Sequence, residues 1–413
     1  MAELLAVPPP PVEVRTVPEL PPELRALDRV RGRAGRAAGG GALEALLGGR
    51  EVPLREGRRA TFLYRGPAER VELRHWIYGL EPDPPFRRLD GTDVWALTLE
   101  LPEDSRVEYK LAVVEDGHER VILDPLNPRR AHDPFGANSV LRMPGYERPA
   151  WTRPDPAAPR GRLRKLSVES AAFGGRRSVR VYEPAAVPPP GGLSLLVVHD
   201  GDDFLRYAGL RPVLDNLIAA GAVAPLVVAF TQPSGERLEE YAADPRQARF
   251  VAEELVPALE RRLPLAPGPE SRGLAGASLG AVASLATAWL RPGRFGRLLL
   301  QSGSFARDTR RGPAFAPVAE LMQRFLAAPG RPAGRIFVSC GVYESLVVEN
   351  RALVPELEAA GARVRYRETR DGHHWEGWRD GWGEALPFLF PGAAAAQAEA
   401  ESRPLGGGVP LPP

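Results

Sequence analysis

One serine in this chain stands where a nucleophile would. Gly276-Ala277-Ser278-Leu279-Gly280 follows a strand-like run, Arg272 to Ala275, and opens a small-residue helix, Ala281-Val282-Ala283-Ser284-Leu285-Ala286. Strand, sharp turn and helix are the setting of a nucleophile elbow, in which flanking glycines permit the turn and the hydroxyl stands above the sheet edge. The amide of Leu279 then points to where an oxyanion would form, aided by the helix N-terminus. A serine also needs a base. Histidines occur only at 75, 118, 132, 199, 373 and 374. When an elbow serine opens the set, the acid and then the histidine follow it in the chain. Only His373 and His374 qualify. His373, directly after Gly372, is the expected base, with His374 the alternative. A His-His pair can also mark a metal site, but no acid or cysteine lies at the usual ligand spacing. Neither metal nor cofactor is expected.

The third member must orient the imidazole. Between residues 309 and 370 there is no aspartate. Glu344 lies just past the apolar run Arg335 to Cys340 and is the expected acid, with Glu349 the alternative. Asp371 is too close in sequence to His373 to serve comfortably. A second oxyanion donor is expected from the loop His199-Asp200-Gly201-Asp202-Asp203, through the amide of Asp202 or Asp203. The chemistry this set supports is acyl transfer: serine attack on an ester carbonyl, then hydrolysis of the acyl-enzyme by water.

These residues need elements to hold them. From 163 to 392, apolar runs at Leu193–Val198, Pro225–Phe230, Leu298–Leu300 and Ile336–Ser339 read as strands buried on both faces. Helical segments at Ala248–Arg262 and Ala281–Leu290 alternate with them, which predicts a mostly parallel sheet with helices on both sides. Residues 51–148 instead show short runs of period two (Arg59–Arg65, Arg70–Trp76, Val94–Glu100, Val107–Val113) between turn clusters, the pattern of a small β-sandwich. Residues 149–162 read as a Pro-rich linker, 1–50 as a Pro-, Arg- and Gly-rich leader with an extended Pro8–Pro11, a short helix from Glu23 to Arg36 and a break at Gly39–Gly41, and 393–413 as a disordered tail.

The chain has 413 residues, enough for two domains. Its 54 basic against 52 acidic residues give no support to nucleic acid or an anionic membrane as partner. Its single cysteine, Cys340, forbids an intramolecular disulfide and reads as a buried strand residue. The start lacks the basic and apolar regions of a secretory signal, and no apolar run reaches the roughly 18 residues of a membrane span, so a cytoplasmic protein is expected.

The elbow, the Asp200-Gly201 loop, Gln301-Ser302-Gly303-Ser304-Phe305 and Gly372-His373-His374-Trp375-Glu376-Gly377-Trp378-Arg379 resemble the Putative esterase branch of the α/β-hydrolases, and within it the enterochelin esterases. Arg88-Leu89-Asp90-Gly91-Thr92-Asp93-Val94-Trp95, Leu123-Asp124-Pro125-Leu126-Asn127-Pro128 and Ser139 to Gly145 resemble the N-terminal domain of those enzymes. The resemblance implies an α/β fold: an α/β-hydrolase domain behind an immunoglobulin-like, early-set β-sandwich. It also implies cleavage of enterobactin, a cyclic triester of dihydroxybenzoyl-serine, to release iron in the cytoplasm. The partner is then a small-molecule ester, a ferric siderophore among the candidates. Arg307, Phe305 and Trp375 are the expected substrate contacts, and Arg272 and Arg379 further cations for a catecholate. The family commonly has Gly-Gly-His where this chain has Asp371-Gly372-His373, and an aromatic pair where Ala306 and Arg307 follow Phe305. Two rival readings stay open: a feruloyl or acetyl esterase acting on carbohydrate, and a catalytically idle binding protein.

Overall fold

The structure, a computed structural model, describes residues 13–29, 47–242, 244–310 and 312–401. Pro8–Pro11 and Gly39–Gly41 lie outside the described residues. The chain forms two compact units: residues 1–148 with 340–352 and 367–377, and residues 149–339 with 353–366 and 378–413.

The first unit is a sandwich of two antiparallel five-stranded sheets. One orders Arg15–Val17, Val94–Glu100, Arg59–Arg65 and Leu54–Glu56, with Arg87–Arg88 also on Val94–Glu100; the other orders Arg70–His75, Arg106–Glu115, Gly136–Arg142 and Arg130–Asp133, with His118–Ile122 on Arg106–Glu115. Period-two alternation turns Phe62, Leu97, Leu73, Leu111 and Tyr109 inward to one shared core. The expected strands at Arg59–Arg65 and Val94–Glu100 are found with those bounds. Part of the expected leader belongs to this unit: Arg15–Val17 pairs with Val94–Glu100, and Pro22–Arg29 is a helix whose Leu24 is buried.

An eight-stranded sheet has the order Arg162–Ser170, Gly175–Glu183, Leu226–Thr231, Ser194–Val198, Arg272–Ala277, Arg297–Gln301, Arg335–Gly341, Arg363–Thr369. The first three strands pair antiparallel in that order, and the ladder is parallel from Leu226–Thr231 through Arg335–Gly341. An antiparallel entry followed by a crossed third and fourth strand makes this an α/β-hydrolase sheet. The helix Leu279–Leu290 is buried continuously from Leu279 to Ala288, which its Gly, Ala and Ser content permits. The helix expected over 248–262 is found as a continuous helical run, Pro245–Arg249, Phe250–Leu255 and Val256–Glu260, whose middle segment is wound as a π-helix.

Two expectations are corrected. The segment 149–162 is packed rather than free: Asn216 donates to the carbonyls of Trp151 and Arg153, and the Trp151 indole fills the space where Gly383 has no side chain. The tail is not disordered from 393, because Ala393–Glu401 is a helix whose start is anchored by Gly392 N–H to Ala222 and Ala394 N–H to Gly221. Its alanine-rich sequence favours that helix intrinsically. Cys340 is buried at the end of Arg335–Gly341, as expected. Among the described residues no helix is long and apolar enough to cross a membrane.

Candidate active site

Ser278 follows the strand Arg272–Ala277 and caps the helix Leu279–Leu290 with φ 58° and ψ −124°. A side chain rarely takes that conformation, and it is maintained because its neighbours over-determine it. Its amide donates to the Gln301 carbonyl at 3.0 Å, and its carbonyl accepts from Ala281 at 3.1 Å. A Cβ on Gly276 would lie 2.3 Å from the Gly280 carbonyl, so only glycine lets strand and helix meet here. The Ser278 Oγ stands 3.3 Å from the Ser304 hydroxyl. Ser304 is a further candidate that sequence reasoning does not single out, although the Ser-Gly-Ser run is its signal.

The turn after Ser194–Val198 is built by charge. Asp200 adopts φ 53° and receives two bonds from Arg237, at 2.7 and 2.6 Å. Of the two amides expected to face an oxyanion, that of Asp202 already donates to the Gln232 side chain at 3.1 Å, and the Asp202 carboxylate pairs with Arg180. Asp203 is the remaining one. Leu279, the other expected donor, opens the buried helix as the elbow requires.

His199 is fully buried beneath this turn, its Nδ1 3.0 Å from the Ser284 hydroxyl and its ring edge-on to Tyr241. Burial pushes its imidazole down to about 4, outweighing the neighbouring Asp200 carboxylate. Unfolding restores a value near 6.5, so the unfolded state takes up a proton between these limits. This contribution to stability is full above about pH 6.5 and is lost as pH falls toward 4. Between pH 7 and 4.5, wild type should lose about 2 kcal/mol more stability than His199→Asn in urea unfolding. Equal losses would mean that burial does not keep this imidazole neutral.

In the first unit, His373 Nδ1 meets Glu344 Oε2 at 2.5 Å. The other Glu344 oxygen accepts from Gly341 N–H at 2.8 Å, so the buried carboxylate is held at both oxygens. The His373 side chain is 37% exposed and its neighbour His374 is 10%. His374 instead gives its Nδ1 to Asp371, at 2.9 Å. Burial alone would lower the His374 pKa, but Glu108 and Asp371 outweigh it and hold it above the ordinary value. Glu349 sits in the first turn of the helix Val347–Ala359.

The expected substrate contacts fare unequally. Phe305 is corrected: its side chain is fully buried in the hydrolase core, its ring occupying the space above Gly303, because the chain turns inward there. Arg272 is paired with Glu260 and Arg379 with Asp380, so both are structural pairs. Arg307 and Trp375 are partly buried. Trp378 packs, as its indole donates to Ser302 at 2.9 Å. In sequence Trp76 is only the end of a strand. It is 49% exposed, and its ring meets His374 edge-on at 6.1 Å. A recess of about 140 Å³ lined by Tyr78, Tyr343, Arg351 and Arg370 contains none of the candidate catalytic residues, and its arginines are held by Glu368, Glu13 and Asp104.

Comparison with known proteins places the chain's fold and family. Residues 170–389 match the family described as Putative esterase, and residues 59–151 match the enterochelin esterase N-terminal domain. An iron(III) enterobactin esterase of Dickeya dadantii is 28% identical over 81% of this chain and 88% of its own. An iron(III) salmochelin esterase of Escherichia coli is 28% identical over 78% and 85%. The crystal structure of a ferric enterobactin esterase from Salmonella typhimurium superposes with a TM-score of 0.68 at 24% identity, over 81% of this chain and 95% of that one. An elbow serine on a hydrolase sheet and a match across more than half of the sequence lead to one conclusion: this chain belongs to the Putative esterase family of ester hydrolases, with an N-terminal domain of the enterochelin esterase type.

Proposed function

We propose that this protein hydrolyses the backbone esters of a catecholate siderophore of the enterobactin class, in the cytoplasm, by way of an acyl-enzyme on Ser278. The observation that carries the substrate class is the match of both domains, not the hydrolase alone, to enterobactin esterases. The match of residues 59–151 to the enterochelin esterase N-terminal domain weighs against the feruloyl reading. The half-exposed Trp76 beside the His373 loop supports an aromatic acyl group, since an exposed indole offers a stacking face.

In the proposed mechanism His373 Nε2 takes the Ser278 proton while Nδ1–H stays on Glu344, so the imidazole holds the tautomer a base requires. Ser278 Oγ attacks the ester carbonyl, and the amides of Leu279 and Asp203 receive the developing oxyanion. His373 then protonates the departing alkoxide. Water, activated by the same base, releases the acyl group. Ser304 is proposed to steer the Ser278 hydroxyl, and Arg307 and Trp375 to meet the substrate.

The test is to incubate the purified protein with ferric enterobactin, iron-free enterobactin and a feruloyl sugar ester, and to follow products by mass spectrometry. Release of dihydroxybenzoyl-serine units is expected. Cleavage of the sugar ester alone would keep the mechanism and overturn the substrate.

A further inference from the structure

Two adjacent residues where one sandwich strand begins, Ser105 and Arg106, touch both loops that carry the acid and the base. The Ser105 hydroxyl lies 2.6 Å from the Tyr343 hydroxyl, and both groups are buried. Tyr343 precedes Glu344 and packs into the sandwich core. Arg106 is completely buried. Its amide donates to the Arg370 carbonyl at 2.8 Å. Its guanidinium reaches both Asp371 oxygens at 3.1 and 3.0 Å, Glu376 at 3.1 Å and Glu108 at 2.6 Å.

Asp371 is the centre of the base loop. Besides Arg106, its carboxylate accepts from Gly372 N–H at 2.7 Å and from His374 Nδ1 at 2.9 Å, so residues 371–374 wrap around it. The two loops are also joined to each other, since Tyr343 N–H donates to the Asp371 carbonyl at 3.2 Å. His373 is therefore flanked on both sides by residues fixed to one guanidinium, and Glu344 follows a residue fixed to the neighbouring serine.

We propose that Ser105 and Arg106 are positioning residues for the His373–Glu344 pair, which makes the N-terminal sandwich part of the catalytic apparatus. This rests on His373 being the general base. The physical ground is that a buried, multiply paired guanidinium contributes more to geometric definition than to stability. A base displaced by about 1 Å loses on the order of 100-fold in rate. The position of His373 matters to the chemical step more than to substrate binding, so the defect belongs in kcat.

The test compares Arg106→Lys, Arg106→Gln, Asp371→Asn and Ser105→Ala with wild type and Ser278→Ala, measuring kcat, KM, the pH profile of kcat/KM and thermal melting. Asp371→Asn should lower kcat about 10- to 100-fold with KM within about threefold. Arg106→Lys should recover part of the activity that Arg106→Gln loses, because an ammonium keeps the charge without the fork. Ser105→Ala, losing one hydrogen bond, should cost a few-fold. Removing the Asp371 charge from the base loop disfavours a protonated imidazole there, so in Asp371→Asn the acid limb should move to lower pH. Where Arg106→Gln does not fold, the other three variants carry the test. Should Ser278→Ala keep its turnover, the esterase reading itself fails. Should Ser278→Ala be inactive while the three variants keep wild-type kcat and an unmoved acid limb, with only melting affected, the positioning role alone is overturned.

Discussion

Replacing Ser278 by alanine should lower kcat by about 10⁴- to 10⁶-fold, the scale of losing a triad nucleophile, with little change in melting temperature. The nucleophile has no substitute in the proposed set, since Ser304 lies 3.3 Å away off the elbow and follows a different strand. Stability is preserved because alanine carries the same Cβ into the same backbone conformation, φ 58° and ψ −124°. The hydrogen bond from this side chain to Ser304 is worth no more than about 1 kcal/mol. Ser278→Gly makes a useful contrast. It should be equally inactive yet more stable by about 1 kcal/mol, because glycine relieves the positive φ. Turnover of an aryl ester together with differential scanning calorimetry checks both. Retained turnover in Ser278→Ala would refute the nucleophile assignment, and a large fall in melting temperature would mean that the loss was structural.

Glu344→Gln should lower kcat by about 10³- to 10⁴-fold, comparable to disabling the orienting acid of a known triad. One oxygen of Glu344 accepts from Gly341 N–H at 2.8 Å and the other faces His373 Nδ1 at 2.5 Å. In the amide variant the remaining oxygen keeps the Gly341 bond, which directs the NH₂ group at Nδ1. The imidazole must then accept at Nδ1 and carry its proton on Nε2, so it can no longer take one from Ser278. The loss should appear equally in the rate of serine labelling by a fluorophosphonate, which depends on the same base. Glu349→Gln should stay within about twofold of wild type. The reverse result would move the acid to Glu349.

Some of this is legible before any fold is known, because it depends on near neighbours. Glycine on either side of Ser278, with a strand-like run before and a small-residue helix after, is a local requirement met within ten or so residues. The inward–outward alternation of Arg70–His75 and the continuous apolar run of Ser194–Val198 likewise follow from short-range pattern. His373 and Glu344 are selected by elimination, from chain order and the scarcity of other candidates. In the structure His373 Nδ1 lies 2.5 Å from Glu344 Oε2.

Other features are decided only in three dimensions. Phe305 looks like a pocket residue in sequence, yet the turn at Gly303 sends its ring into the core. The Asp202 amide is a reasonable oxyanion donor in sequence, yet Gln232, thirty residues later, occupies it. Asp371 stands in sequence as a departure from a family glycine that would alter the acyl pocket. Its partner Arg106 is 265 positions away, and no local pattern relates the two. The boundary at residue 148 is also incomplete, since 340–352 and 367–377 belong to the compact unit of the sandwich. Sequence determined the kind of chemistry, because nucleophile, acid and base are matters of residue type and order. Tertiary structure decided which atoms are engaged, because burial and charge pairing are settled between residues that the chain itself keeps far apart.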